Sequence, residues 1–251
     1  MVSLNIIFFS ILSYNIFCPL AGGGDMTPYR LIAISNNIGE YNVVMFQESF
    51  NFCLFHKRIF GTNYLLKKYL NIVGFKYVIE DEAPSWGQDS GLLIASRYEI
   101  TDVKYIRYKS WNGRELWTWK GILSGKIHNV SFINTHLQAG DIGANGNQLI
   151  ELKNFIDNNF INKDNIVIGG DFNNNYFIYF EKKRLYHALE NINCKDLFIG
   201  NPNSSTKYDS NERLDYLFLC NTNNITDITH KFVDLQISDH IGVDTKFYFH
   251  G

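Results

Sequence analysis

Short apolar runs that stop abruptly at an acid, an amide or an imidazole recur along this sequence, and they constrain its fold more than any other feature. Ile11-Leu12-Ser13-Tyr14 ends at Asn15, and Val43-Val44-Met45-Phe46-Gln47 ends at Glu48. Val130 to Thr135 leads into His136, and Ile166-Val167-Ile168-Gly169-Gly170 into Asp171 and Asn173. Asp215 stands in Arg213-Leu214-Asp215-Tyr216 ahead of an apolar run, and Asp239 and His240 precede the last one. Runs of this length read as buried strands. Polar groups beside buried strands are costly unless they are paired or ligate something. Taken singly, each has a plainer reading: a turn residue for Asn15 or Asp171-Phe172-Asn173, a core histidine for His136, a dipole-facing acid for Glu48. Their joint occurrence at strand ends points to a site.

The rest of the chain fits this frame. Ile6–Ile16 reads as the first strand, and Thr27-Pro28 as the N-cap and N1 of a helix running to about Ile38. Val43–Gln47 is a strand and Thr62–Val73 a helix. Gly91–Ser96, Val103–Tyr108, Trp117–Leu123 and Ile127–Thr135 follow as strands. Asn147–Phe160 is an amphipathic helix with Leu149, Leu152, Phe155 and Ile156 as its apolar stripe. Asn165–Ile168, Leu214–Cys220, Ile225–Val233 and Val243–Phe249 complete the strands. So many short strands with few helices imply two packed sheets with helices outside, in one domain spanning residues 1–251.

Composition excludes several classes. Hydrophobic residues make up 45% and charged residues 19%, enough for a core and too apolar for a disordered chain. A net charge of −2 disfavours a broadly basic nucleic-acid binder. Cys18, Cys53, Cys194 and Cys220 form no CxxC pair, which excludes a disulfide scaffold and a cysteine zinc site and implies four reduced thiols in the core. The apolar run Met1–Leu12 lacks a basic flank, is shorter than the ~20 residues a bilayer span needs, and leads directly into Tyr14-Asn15-Ile16. It reads as a strand rather than a signal segment, which slightly favours a cytoplasmic location. No obligate protein partner is evident.

The motifs Leu12-Ser13-Tyr14-Asn15, Gln47-Glu48, Asn134-Thr135-His136-Leu137, Gly169-Gly170-Asp171-Phe172-Asn173 and Ser238-Asp239-His240 resemble, in order, those of the endonuclease/exonuclease/phosphatase superfamily. The resemblance implies an α/β fold, a deoxyribonuclease-like four-layer α-β-β-α sandwich of two mixed β-sheets flanked by helices. It also implies Mg²⁺-dependent phosphoester hydrolysis, with Mn²⁺ as a substitute. Within that superfamily Thr135-His136-Leu137-Gln138-Ala139, Asn147-Gln148-Leu149, Ile168-Gly169-Gly170-Asp171 and Lys120-Gly121 are similar to the neutral sphingomyelinase branch, including the bacterial sphingomyelinase C type. Glu115 stands where that branch usually has Asp, and Gly242 where family members commonly have Pro. Bacterial sphingomyelinases carry a membrane-entering aromatic hairpin before the Ser-Asp-His motif; here Asn221–Ile237 is short and polar, with Phe232 its only aromatic.

The resemblance and the chemistry of the groups together imply roles. Glu48 is the expected metal ligand, with Asn15 in its outer shell and Asp239 supporting metal-bound water. His240, as a neutral imidazole, is the expected general base, and Asp215 its tautomer-holding partner. Asp171 orients the attacking water, Asn173 donates to a phosphoryl oxygen, and His136 stabilises phosphate charge or protonates the leaving group. Lys120 is either a second phosphate contact or a solvated strand lysine. Trp111, Trp117 and Trp119, around Arg114 and Lys120, would stack on a base, hold a choline headgroup, rest on a bilayer or simply pack the sheet, and Trp86 is a further aromatic of that kind. The substrate is thus a phosphodiester, phospholipid or nucleic acid, with peripheral membrane contact possible. A nuclease would draw on Lys104, Arg107, Lys109 and Arg114. A binding protein with a dead site is disfavoured, because Glu48, Asp171, Asn173, Asp239 and His240 are all intact.

Overall fold

The computed structural model describes residues 6–20, 27–112, 117–160, 165–201 and 205–251. Arg114 and Glu115 therefore lie outside the described residues. Strands are numbered in chain order: β1 Ile6–Cys18, β2 Val43–Ser49, β3 Asn51–Leu54, β4 Lys57–Gly61, β5 Tyr77–Glu80, β6 Trp86–Gln88, β7 Leu93–Ser96 and β8 Thr101–Arg107. Then come β9 Gly121–Ile127, β10 Val130–His136, β11 Asn165–Asp171, β12 Cys194–Asp196, β13 Asp215–Cys220, β14 Ile225–Val233 and β15 Gly242–His250. The helices are α1 Thr27–Asn37, α2 Asn63–Ile72, α3 Ile142–Asn159 and α4 Tyr179–Leu189.

Two mixed six-stranded sheets face each other, in the orders β14-β15-β1-β2-β7-β5 and β12-β13-β11-β10-β9-β8. Alternation along the strands explains the layering. Phe9, Ile11, Val43 and Met45 of the first sheet meet Phe132, Val167, Leu217 and Leu219 of the second in the central core. The opposite faces are covered by helices: Leu31, Ile34, Leu66 and Leu70 on the first sheet, Leu149, Leu152, Phe155 and Leu185 on the second. This is a four-layer α-β-β-α sandwich. A third, small sheet, β4-β3-β6, is built from the hairpin just after β2 and from β6, which follows β5.

Several elements differ from the sequence reading, each for a local reason. Trp117–Leu123 is not one strand. Trp117 O accepts from Gln88 N at 2.8 Å and Trp119 N donates to Gln88 O at 3.1 Å, so this stretch joins β6 before β9 begins at Gly121. Helix α3 starts five residues earlier than expected, despite Gly143 and Gly146. Asp141 caps it by accepting from Ala144 N at 2.8 Å. The thiol expectation is overturned: Cys194 and Cys220 stand directly opposite in the antiparallel β12–β13 pair and form a disulfide, leaving Cys18 and Cys53 as buried free thiols. The apolar N-terminal run enters β1 from Ile6. Among the described residues, no helix is long and apolar enough to cross a membrane.

The disulfide closes a loop with a sequence separation of 26. A Cys194→Ser/Cys220→Ser variant is therefore expected to lose about 3 kcal/mol of stability in urea denaturation, by freeing the unfolded chain.

Candidate active site

Register across the second sheet sets the site. His136 on β10 pairs with Asp171 on the parallel β11, and Asp171 pairs with Asp215 on the antiparallel β13, so the three form one row at the strand ends. Asn15 and Glu48 approach from the first sheet, where β1 and β2 run parallel with Asn15 opposite Gln47. Below the row, Gln47 Nε2 donates to Asn134 Oδ1 at 2.7 Å, and Asn134 Nδ2 donates to Phe46 O at 2.8 Å and Leu93 O at 3.1 Å. This buried amide pair fastens one sheet to the other directly beneath the site.

The groups converge on one oxygen, Oδ2 of Asp171. Asn15 Nδ2 donates to it at 3.0 Å and to Glu48 Oε1 at 2.9 Å. His136 Nε2 lies 3.6 Å away and His240 Nε2 3.8 Å away. The other oxygen of Asp171 accepts from Asn173 N at 2.9 Å, so the tight turn and the site are the same structure. One ligand atom from each of Glu48, His136 and Asp171 lies within 4.8 Å of the others, as does one from each of Asp171, Asp215 and His240. Asp239 belongs to neither cluster. Asn15 Oδ1 accepts from Phe17 N at 3.0 Å, and its amino group faces the carboxylates.

Electrostatics divide the two imidazoles. Burial, then Lys120 and His240, hold His136 well below its usual range, so it is neutral. Lys120 Nζ lies 3.1 Å from His136 Nε2, and an ammonium only donates, so the histidine proton resides on Nδ1. For His240, burial disfavours the charge, but Asp215 with Asp171 and Asp239 outweighs it and lifts the group to about 10. Its Nδ1 donates to Asp215 Oδ2 at 2.8 Å. The sequence reading has His240 neutral near pH 7, whereas the carboxylates gathered on its imidazole favour the charged form. Burial, and for Asp171 also the charge of Asp215, raises the carboxyls of Glu48 and Asp171.

Backbone conformation at the site is unusual. Glu48 has φ 58° and Asn173 φ 46°, the left-handed region that a non-glycine residue adopts at a cost. Lys120 is buried, not solvated, and its Nζ donates to Leu137 O at 2.7 Å, an acceptor it shares with Asn173 Nδ2 at 2.9 Å. A cleft of about 390 Å³ opens beside Asn173, lined also by Gln138, Asn145, Arg184, Lys207 and Glu212.

Sequence reasoning missed the segment that ties the chain around Asp215 to the chain after His240. Thr206 Oγ1 accepts from Leu214 N at 2.9 Å and Asp215 N at 3.1 Å, while Thr206 O accepts from Ile241 N at 2.7 Å. Lys207 bridges to His240 in the backbone. Nothing in a polar Ser-Ser-Thr-Lys-Tyr stretch signals that role. Of the aromatic residues, Trp86 and Trp117 pack on each other with ring centroids 4.5 Å apart, and Trp119 lies beneath the Arg107 guanidinium.

Residues 12–240 match the endonuclease/exonuclease/phosphatase family. The chain belongs to that family. No curated protein matches the sequence. Among solved structures, the chain is similar to beta toxin 275-280 from Staphylococcus aureus, with a TM-score of 0.76, 21% identity, and coverage of 94% of this chain and 99% of that one. It is also similar to sphingomyelinase C from Streptomyces griseocarneus, with a TM-score of 0.70, 15% identity, and coverage of 96% and 99%. A family member from Beutenbergia cavernae gives a TM-score of 0.74 at 16% identity, covering 97% of this chain and 72% of that one. At these identities the likeness is one of fold. Members of this endonuclease/exonuclease/phosphatase family are generally hydrolases of phosphoesters.

The family motif's second glycine is explained by packing. Gly170 has φ 153°, and a Cβ there would stand 2.0 Å from Thr135 O on β10. Gly170→Ala must push β10 and β11 apart where His136 and Asp171 face each other. It is expected to cost about 3 kcal/mol in urea unfolding and to depress turnover in the same protein.

Proposed function

We propose that this chain is a Mg²⁺-dependent phosphodiesterase, sphingomyelinase-like in releasing a phosphorylated headgroup from a phospholipid. The observation that carries the reading is the convergence of Asn15, His136 and His240 on one buried oxygen of Asp171, with Glu48 alongside. Hard oxygen donors from Glu48 and Asp171 suit Mg²⁺, and a Staphylococcus aureus beta toxin variant of the same fold was solved with bound magnesium ions. Bound there, Mg²⁺ or Mn²⁺ would neutralise phosphate charge as a Lewis acid and offset the carboxylates that keep His240 protonated.

Glu48 is the ligand, and Asn15 holds its carboxylate and that of Asp171 in register. The 3.8 Å between His240 Nε2 and Asp171 Oδ2 is too long for a hydrogen bond and suits a water touching both. Asp171 orients that water, and His240, its Nδ1–H fixed by Asp215, takes its proton at Nε2. The water oxygen bonds to phosphorus as the bond to the leaving oxygen breaks in line, and the leaving oxygen departs as an alcohol by taking a proton from solvent. Lys120 carries the positive charge that His136 lacks, and with the Asn173 amide it is placed to steady the phosphoryl oxygens. His136 positions Lys120 through Nε2. Asp239 supports the site through its charge on His240. The domain is taken as a single unit over residues 1–251. A nuclease with the same catalytic centre is the second reading, and the exposed Trp86 and Trp117, packed on each other as a stacking surface with Trp117 three residues before Lys120, are what favours it.

The test is a panel of sphingomyelin, lysophospholipid, supercoiled DNA, single-stranded RNA and a chromogenic phosphodiester, with Mg²⁺ and with EDTA. Hydrolysis of sphingomyelin that EDTA abolishes and Mg²⁺ restores is expected. His240→Ala and Asp171→Ala should each lower turnover at least ~10²-fold with the fold retained. Near-normal rates in either variant overturn the assignment, and cleavage confined to nucleic acid replaces the lipid reading.

A further inference from the structure

The small sheet β4-β3-β6 carries an aromatic ridge open to solvent. Phe60 stacks on Phe52 at 5.2 Å, Phe52 meets Trp86 edge-on at 6.4 Å, and Trp86 meets Trp117 at 4.5 Å. Four of the five residues of β4 are exposed, including Ile59 and Phe60. The tip is Phe55, 78% exposed, in a two-residue turn between Leu54 and Lys57. Phe55 has φ 50° and His56 φ 59°. Such a turn normally uses Asn-Gly, because bulky residues pay a steric cost in the left-handed region. Phe55 N donates to Ser85 O at 2.7 Å, so the tip is anchored while its ring stays in water. An apolar ring held outward in a strained turn is the kind of backbone outlier from which function is inferred.

Charge marks the same stretch. From Ser49 to Ile79 there is no Asp or Glu, but there are Lys57, Arg58, Lys67, Lys68 and Lys76, in a chain of net charge −2. Arg58 is committed to Glu80, Asp81 and Asp89 beneath the sheet, at 3.3, 2.6 and 3.0 Å. Lys57 and Lys68 are exposed, and Lys68 shares a face of α2 with the exposed Tyr64 four residues earlier, which lines one groove with Ile59 and Phe60 of β4. The ridge is also continuous with the site: β3 starts three residues after Glu48, and Trp117 lies three residues before Lys120, at most about 10 Å of chain.

We infer that this ridge, with Phe55 at its tip and Lys57 and Lys68 at its rim, docks the protein on a phospholipid surface containing anionic headgroups. The inference rests on the lipid reading of the proposed function, and it names the surface that presents the substrate. Aromatic rings prefer the headgroup level, and exposed lysines complement anionic lipid. Single-stranded nucleic acid would need a cationic groove beside the stacking rings, whereas Arg58 is tied to three carboxylates and Lys67 to Glu80 at 2.9 Å.

Flotation of the full chain with vesicles of phosphatidylcholine and phosphatidylserine tests it, alongside hydrolysis of a soluble chromogenic phosphodiester. Phe55→Asn removes the ring and suits the left-handed turn, so it should fold normally and bind vesicles ~10-fold more weakly with soluble hydrolysis unchanged. A Lys57→Gln/Lys68→Gln variant should also float less and lose salt dependence, which keeps the test decisive if Phe55→Asn does not fold. Wild-type protein that hydrolyses the soluble substrate but never floats overturns the docking surface and leaves the catalytic reading standing. Wild-type protein that floats through Phe55 but hydrolyses nothing supports the surface and overturns the catalytic reading. Equal flotation of folded Phe55→Asn, or binding of a single-stranded oligonucleotide instead of vesicles, also overturns the inference.

Discussion

Everything in this molecule's chemistry depends on where the Asp171 carboxylate is buried. It ends the central strand of the second sheet, flanked in register by His136 and Asp215, and is reached from the opposite sheet by Asn15. A carboxylate in so dry a place is held there by several donors at once, since neither hydrophobic packing nor one hydrogen bond offsets its desolvation. The sandwich therefore does more than make a core. By pairing Gln47 with Asn134 across the sheets, it fixes the distance at which Asn15 and Glu48 confront Asp171.

Two chemically identical rings beside that carboxylate meet opposite surroundings. Burial and the Lys120 ammonium hold His136 below its usual range, whereas Asp215, with Asp171 and Asp239, outweighs burial and raises His240. Environments that drive like groups apart are how acid and base duties are assigned in one cleft. Here the division follows from the neighbours each ring meets, Asp215 beside His240 and Lys120 beside the buried His136. Lys120 reaches in from the stretch between β8 and β9.

Much of this was legible in the sequence because the signal is local. An apolar run followed by Asn15, Glu48, His136 or Asp171 marks both a strand and its end, and those residues do meet. Long-range pairing is what the sequence hid. Nothing near Cys194 or Cys220 says that β12 and β13 place them opposite each other. Thr206 acts through its hydroxyl and its backbone, which patterning does not register. The β3–β4 hairpin escaped because Phe55-His56 lacks the usual turn residues, and α3 was shortened because Gly143 and Gly146 oppose a helix that Asp141 nonetheless caps. The sequence left Lys120 open between a phosphate contact and a solvated strand lysine because its burial depends on Leu137 and His136, distant in sequence.

The small sheet and the row of site residues are joined by short stretches of chain, since Glu48 leads directly into β3 and Trp117 stands three residues before Lys120. The proposed chemistry requires a divalent cation resting between the carboxylates of Glu48 and Asp171. Anomalous diffraction from crystals grown with Mn²⁺ addresses that most directly. A peak within bonding reach of Glu48, beside Asp171, is the predicted result; a fully occupied ion elsewhere, with that position containing only water, would contradict it.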